Sequence, residues 1–356
     1  MGVPHVFEQT DFEVSGEKSV YATLIQNGKR RLGVDMYVIM HWAFSRHPEY
    51  HQSLTFTPGM DCPDVYYDIK SELEYLITQT FSLFLVYDGK TSPFKTAEDD
   101  RETRRQNAAA KQKWANAFDI IPYQAWKVWN YVKDLSDITQ LIAPFEADPQ
   151  LAYLYHKNYI DAVLTADSDL IFYQVNDIVF RQAGNVKYYH RYIYNTDTSN
   201  ARINCLDPYR LFIYPMIIGN DYSRGVPNHG IKKCVDIIKA IDVSAFECPH
   251  CSQTNWKGLF SSILSLTKPV AALTDNWQKI CYNEWKKIIT IYTSYPVFDI
   301  SSEVVSMTTL RSIGNTTNFM LFDIDYNLPV KDVIPEDKYD LIAHCKIDPN
   351  TFLEYK

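Results

Sequence analysis

Apolar positions along this chain fall in short unbroken runs separated by charged or turn-forming stretches. Three runs, 32-LGVDMYVIM-40, 81-FSLFLVYDG-89 and 160-IDAVLTADSD-169, each carry an Asp and give way to turn or polar residues. Runs of this kind predict buried parallel strands, and in open α/β sheets ligands gather outside the carboxyl ends of such strands. Asp35, Asp88, Asp167 and Asp169 are then expected along one sheet edge.

Between the second and third runs, residues 90–121 are charged, contain alanines and lack glycine, which suits an exposed helix. The stretch 123-YQAWKVWNYVKDLSDI-138 spaces its aromatics as a packed helix does. Within 146-EADPQLAYLYHKNYI-160 the acids precede the apolar positions, as at a helix N-terminus. The alternation of 174–195, with Gly184-Asn185 in the middle, predicts a β-hairpin. After 211-LFIYPMIIGNDY-222 comes GVPNHG and then a helix over 231–241. From about Ser244 the chain reads as short helical and irregular pieces, with turn signals over 321–335. A boundary near residue 243 therefore divides 1–243 from a C-terminal extension, 244–356, that packs on it.

Composition narrows the class. A chain of 356 residues that is 46% hydrophobic and 14% aromatic builds a sizeable core and is not disordered. Its net charge of -8 argues mildly against a basic nucleic-acid coat and says nothing against a local basic face. Seven scattered cysteines do not form a secreted disulfide framework, and the longest apolar runs fall well short of the roughly 20 residues that span a bilayer. The opening MGVPHVFEQTDFE lacks the pattern of a secretory signal, and Val6 breaks the myristoylation motif. An intracellular, soluble protein with no membrane partner is expected.

The chemistry concentrates in 143-APFEADPQLAYLYHKNYIDAVLTADSDLIFY-173, where Glu146 and Asp148, then Asp167 and Asp169, form two acid-x-acid pairs around an apolar segment. Like charges beside a core destabilise one another unless compensated, and a cation compensates them. Phosphodiester hydrolysis would use such a site: two hard cations about 4 Å apart activate a water and stabilise the charged phosphate. Mg²⁺ takes oxygen ligands, so Asp and Glu suit it better than His or Cys. Any one of these acids alone would be a helix cap or a turn residue.

Taken together, the N-terminal MGV, GVDMY, VYDGK, APFEADPQLAYL, TADSDLIFY and IIGNDYSRGVPNHGIKKCVDII resemble, in type and order, the motifs of the XPG-type superfamily of structure-specific 5′ nucleases. That superfamily includes flap endonucleases, 5′ exonucleases and Holliday-junction resolvases. The resemblance covers about residues 1–243 and implies a PIN-like α/β nuclease core. It has a mostly parallel sheet flanked by helices, a helical arch over about 90–121 and a helix-hairpin-helix over about 217–241. It implies two Mg²⁺ (or Mn²⁺), with Asp35, Asp88, Glu146 and Asp148 around one ion and Asp167, Asp169 and Asp221 favouring the second. Asp148 stands where a Glu is common.

The implied partner is flapped or branched DNA, with RNA open as an alternative, together with replication or repair proteins and, in a eukaryote, a nuclear location. The arch lysine falls on Lys95. The arch arginine falls on Arg101 if one residue is deleted, or else on Arg104 or Arg105. The stretch from Asp88 to Glu146 is shorter than in typical flap endonucleases, which implies a smaller arch. In the hairpin, Gly225 and Gly230 permit a tight turn, Lys232 and Lys233 add salt-dependent affinity, and relatives often hold K⁺ on its carbonyls. His41 and Trp42 lie where relatives stack an aromatic on a base; core burial is expected of Trp42, and His41 is open between the two roles. Gly2 is expected near the site. Cys248 and Cys251 have zinc-knuckle spacing around His250 but no second pair nearby, so zinc is not expected. Retention of all seven acids argues against a noncatalytic scaffold, the alternative from outside the enzymes.

Overall fold

The computed structural model describes residues 14–57, 59–89, 95, 98–181, 187–191, 206, 208–223, 225–242, 256–266, 285, 288, 291–292, 294–302 and 304–309, with Val3 and Val6 ahead of them. The elements run β1 (Val14–Ser15), α1 (Glu17–Gln26), β2 (Arg31–Asp35), α2 (Met36–Ser45), α3 (Pro48–Phe56), α4 (Pro63–Thr78) and β3 (Ser82–Tyr87). Then come α5 (Glu98–Ala110), α6 (Pro122–Val132), β4 (Ile138–Ile142), α7 (Ala147–His156), β5 (Ala162–Thr165), α8 (Asp169–Phe172), β6 (Asp177–Arg181) and β7 (Lys187–Arg191). The chain continues through α9 (Pro208–Ile218), α10 (Ile231–Ala240), α11 (Trp256–Leu266), β8 (Ser294–Asp299) and β9 (Val304–Thr309).

One sheet, in the order β1-β7-β6-β5-β2-β3-β4, organises the molecule. Strands β6, β5, β2, β3 and β4 are parallel, and β7 and β1 add antiparallel edges. The expected mostly parallel sheet flanked by helices is thus present, as is the hairpin of β6 and β7; its turn at Gly184-Asn185 lies outside the described residues. Register decides what shares an edge. Asp35 pairs with Val86, Tyr87 with Ile142 and Val34 with Leu164, so β2, β3, β4 and β5 end at one level.

Three expectations are corrected. The run 32–40 is not one strand: the chain turns helical at Met36, because the Asp35 carboxylate accepts the Tyr37 N–H at 3.1 Å and caps α2. Met36, Ile39, Met40, Ala43 and Phe44 then bury one helical face, and the apolar run continues across Asp35 with no glycine or proline to mark the change. Helix α6 stops at Val132, short of the 123–138 read above, and Ile138, the last residue of that stretch, opens the outer parallel strand β4 (138-ITQLI-142). The C-terminal region, read as helical and irregular, includes an antiparallel hairpin of β8 and β9.

That hairpin is tied to the main sheet layer. The Gln150 side chain on α7 donates to the Phe298 carbonyl at 2.9 Å and accepts the Phe298 N–H at 2.8 Å, an exchange that mimics a strand neighbour. Trp285 Nε1 donates to the Met216 carbonyl at 3.0 Å, and the ring of Phe145 meets Tyr295 edge-on. Farther along, Arg210 on α9 donates to the carbonyls of Ile238 and Ile241, closing the C-terminal end of α10 against its helical neighbour. Residues 243–255, where the soft boundary fell, and 310–356, with the turn signals of 321–335, lie outside the described residues.

Gly89 shows how tightly the β3 and β4 ends meet. A Cβ there would stand 1.8 Å from the Ala143 carbonyl oxygen and 2.8 Å from that of Pro144, both backbone atoms that cannot swing aside. Gly89→Ala is therefore expected to destabilise the fold by about 3 kcal/mol, at the upper end of overpacking costs, as read from the midpoint of urea unfolding.

Candidate active site

The level ends of the parallel strands deliver the acids. Asp35 closes β2, Asp88 follows β3, Glu146 stands four residues past β4, and Asp167 two past β5. Asp148 and Asp169 then enter on the first turns of α7 and α8, and Asp221 follows α9. The strand ends and helix ends thus gather acids that lie up to 186 positions apart in the chain, from Asp35 to Asp221.

Neighbouring groups hold several of them. The Thr165 hydroxyl donates to Asp35 at 3.1 Å and accepts the Asp167 N–H at 3.0 Å. Asp88 accepts the Ala147 N–H at 2.7 Å and so caps α7 from another strand, the favourable place for an anion at a helix N-terminus. Asp167 accepts the Asp169 N–H at 3.0 Å. Glu146 accepts the Tyr222 hydroxyl at 2.9 Å through one oxygen and meets Lys95 Nζ at 2.8 Å through the other. The same ammonium lies 3.6 Å from Asp221.

These bonds do not neutralise the cluster. Burial and then the nearby Asp88 charge push the Asp35 carboxyl up to about 7. Burial, followed by the charge of Asp167, raises Asp148 and Asp169 well above the ordinary carboxylate range. Glu146 is raised by burial in spite of Lys95. One oxygen of Asp148 and one of Asp169 are buried with no hydrogen-bond partner. Buried acceptor oxygens among like charges are what a hard divalent cation satisfies, so the donor set fits Mg²⁺ or Mn²⁺. Among the described residues no three of the acids stand close enough to cage one ion. They mark a basin with several oxygen donors rather than a preformed shell.

The expected substrate-holding residues divide. Lys95 joins the carboxylates. Arg104 is exposed on α5, and Arg105 turns to Asp119 at 2.8 Å. The side chain of Arg101 and all of Gly2 lie outside the described residues, as do Cys248, His250 and Cys251. Val3 is nonetheless buried beside the site, donating to Ser168 Oγ at 3.0 Å and accepting from it at 3.2 Å.

His41 is exposed on α2. Trp42 is half-buried, with the Arg181 guanidinium 3.9 Å from its ring centre and Arg46 at 5.1 Å, and Arg181 is itself paired to the buried Glu72 at 3.0 Å. Its ring thus packs against two guanidinium groups at the edge of the core, short of the full burial expected. In the hairpin, Gly225 adopts φ +68, where a side chain would be strained, and its Cβ would meet the Ile217 carbonyl at 2.5 Å. Gly230 precedes α10, Lys232 is exposed, and Lys233 donates to the Asn228 carbonyl at 3.1 Å, bracing the turn.

Sequence reasoning missed Thr165, Asn220, Tyr222 and Tyr292. Thr165 and Tyr222 sit within two residues of predicted acids, a signal that was available. Tyr292 carried none, since it reaches the site from beyond residue 243.

A family model described as the XPG I-region matches residues 137–221, a span that includes Glu146, Asp148, Asp167, Asp169 and Asp221. Exodeoxyribonuclease 1 of Schizosaccharomyces pombe is 30% identical over 228 residues, covering 57% of this chain and 37% of the relative. Exodeoxyribonuclease 1 of Saccharomyces cerevisiae is 27% identical over 184 residues, covering 46% and 26%. The chain spans less than half the length of these relatives. A solved structure of the Holliday junction-resolving enzyme GEN1 with product DNA, Mg²⁺ and Mn²⁺ is similar at 16% identity and a TM-score of 0.48, covering 82% of this chain and 64% of that one.

The raised carboxyls have a measurable consequence. Without divalent cations the folded state keeps protons that the unfolded chain releases near pH 4, so stability falls as pH rises from about 4 through about 7. Asp161 acts elsewhere: against partial burial, hydrogen bonds from Arg31 and Arg30 hold it at about 2, so its contribution is lost only in acid. In EDTA the thermal midpoint is expected to drop by several degrees between pH 5 and pH 7.5, and Mg²⁺ is expected to restore it. Asp148→Asn should raise the midpoint in EDTA at pH 7.5 and remove much of the gain from Mg²⁺, both read by the same melts.

Proposed function

We propose that this chain, whose residues 137–221 match the XPG I-region, is an XPG-type structure-specific 5′ nuclease that hydrolyses phosphodiester bonds near 5′ ends in flapped or branched DNA with two divalent cations. The observation that carries this reading is the basin of seven acids with two orphaned, buried carboxylate oxygens. Asp35, Asp88, Glu146 and Asp148 would hold one Mg²⁺ or Mn²⁺, and Asp167, Asp169 and Asp221 the second. Bound there, the cations supply an activated water and neutralise charge on the scissile phosphate.

The chain's own groups do the rest. Thr165 and Tyr222 aim Asp35 and Glu146 by donating to one oxygen of each; the other Asp35 oxygen caps α2 at Tyr37, and the other Glu146 oxygen meets Lys95. Lys95, between Glu146 and Asp221, is placed to exchange those partners for a nonbridging phosphate oxygen. Helix α5, over residues 98–110, supplies exposed cations such as Arg104 to the approaching strand. On the other flank, Gly225, Gly230 and the start of α10 form a turn whose amides and Lys232 suit a duplex backbone, and whose carbonyls would hold a K⁺. None of these groups reads base edges, so structure rather than sequence selects the substrate.

The curated relatives are named as exodeoxyribonucleases, which favours a 5′→3′ exonuclease and flap-cutting activity over junction resolution. Their fungal origin supports the nucleus as the compartment where the DNA is met. A scaffold without catalysis would have no use for a basin in which burial raises four of the seven acids, an arrangement that costs stability.

Labelled 5′-flap, nicked-duplex and four-way-junction DNAs test the proposal, each with Mg²⁺, with EDTA, and with Asp167→Asn. The expected result is metal-dependent cutting at the flap base or progressively from the nick, reduced by at least about 10³-fold in Asp167→Asn. Paired symmetric cuts in the junction would replace this reading with a resolvase. Binding without cutting of any of the three would remove the enzyme.

A further inference from the structure

Tyr292 stands two residues ahead of β8, outside the matched I-region, and is fully buried. Its ring packs against Tyr173 at 4.9 Å, Phe172 at 5.7 Å and Tyr222 at 6.3 Å between centroids. Packing alone would be served as well by phenylalanine, and a buried hydroxyl costs stability unless it is hydrogen-bonded. This one has partners on two sides. Asn220 Nδ2 donates to it at 3.3 Å, and it bonds the Asp169 carboxylate.

The direction of that relay is set by the asparagine. Asn220 Oδ1 accepts the Tyr222 N–H at 2.9 Å, so its amide nitrogen faces the phenol. A phenol oxygen that accepts from an amide keeps its own proton for the carboxylate. The chain Asn220, Tyr292, Asp169 therefore joins the residue next to Asp221 to an acid on a different helix. Asp169 Oδ1, the oxygen without a hydrogen-bond partner, is left for the basin.

We propose that Tyr292 is a positioning residue for the second cation: its hydroxyl bridges Asn220 and Asp169 and so sets the spacing of Asp169 and Asp221. The assignment rests on the two-cation reading and extends it, because the C-terminal segment becomes part of the catalytic unit. Outer partners of metal-binding side chains commonly change affinity or activity by about 10- to 100-fold when lost.

The test is Mn²⁺ titration by calorimetry on DNA-free full-length protein, comparing wild type with Tyr292→Phe, followed by steady-state cleavage of a 5′ flap. Tyr292→Phe is expected to weaken Mn²⁺ about 10-fold and to lower kcat with KM for DNA unchanged, while the thermal midpoint in EDTA stays within a few degrees. Wild-type Mn²⁺ affinity in Tyr292→Phe would overturn the assignment and leave only packing. If Tyr292→Phe fails to fold, Asn220→Ala decides: it removes the donor and should weaken Mn²⁺ in the same direction, and an unchanged affinity overturns the relay. A wild type that binds no Mn²⁺ removes both this inference and the two-cation reading. If wild type binds Mn²⁺ but cuts no DNA, the nuclease reading alone falls, and the affinities of the variants still decide Tyr292.

Discussion

Repulsion among carboxylates withdrawn from water is the constraint on which the rest of this structure depends. Asp35, Asp148, Asp169 and Glu146 are each driven toward protonation by burial, and the charges of Asp88 and Asp167 add to it. Such an arrangement is unfavourable for a bare chain, and the fold holds it in place against that cost. Lys95 offsets part of the charge, and hydrogen bonds from Thr165, Tyr222 and the Ala147 amide offset more. The residual deficit is the physical reason to assign the basin to divalent cations.

What holds the acids together is mostly backbone. Parallel pairing brings the ends of β2, β3, β4 and β5 level, and each strand hands over an acid within a few residues. Close approach at Gly89 keeps the β3 and β4 ends in contact. Asp88 then couples the sheet to α7, which carries Glu146 at its cap and Asp148 in its first turn. The far side of α7 is gripped by β8 through Gln150 and Phe298, so the C-terminal hairpin bears on the same helix that presents the acids.

Some of this was legible because local pattern and local structure coincide. The two acid-x-acid pairs sit beside apolar runs, and those runs became β5 and the helices α7 and α8. Legibility failed where two elements share one apolar run, as across Asp35, since a buried strand feeds directly into a helix whose apolar residues continue the run. It failed at β4 for a related reason: 138-ITQLI-142 follows a true helix without a glycine or proline to mark the change. Arg105 shows the limit for charged residues, since no local pattern announced its pairing with Asp119.

The sequence by itself determined the chemical inventory: seven acids at the ends of apolar runs or beside them, a lysine ahead of α5, and a glycine-marked turn after α9. These are statements about residue type and spacing, which short-range order in the chain preserves. Only the tertiary structure decided which oxygen of each acid is spoken for, that Lys95 stands between Glu146 and Asp221, and that Tyr292 reaches Asp169 from far along the chain. Those facts depend on strand register and on packing between segments distant in sequence. No local pattern encodes them, because the free energy that selects them comes from burying the two partners together.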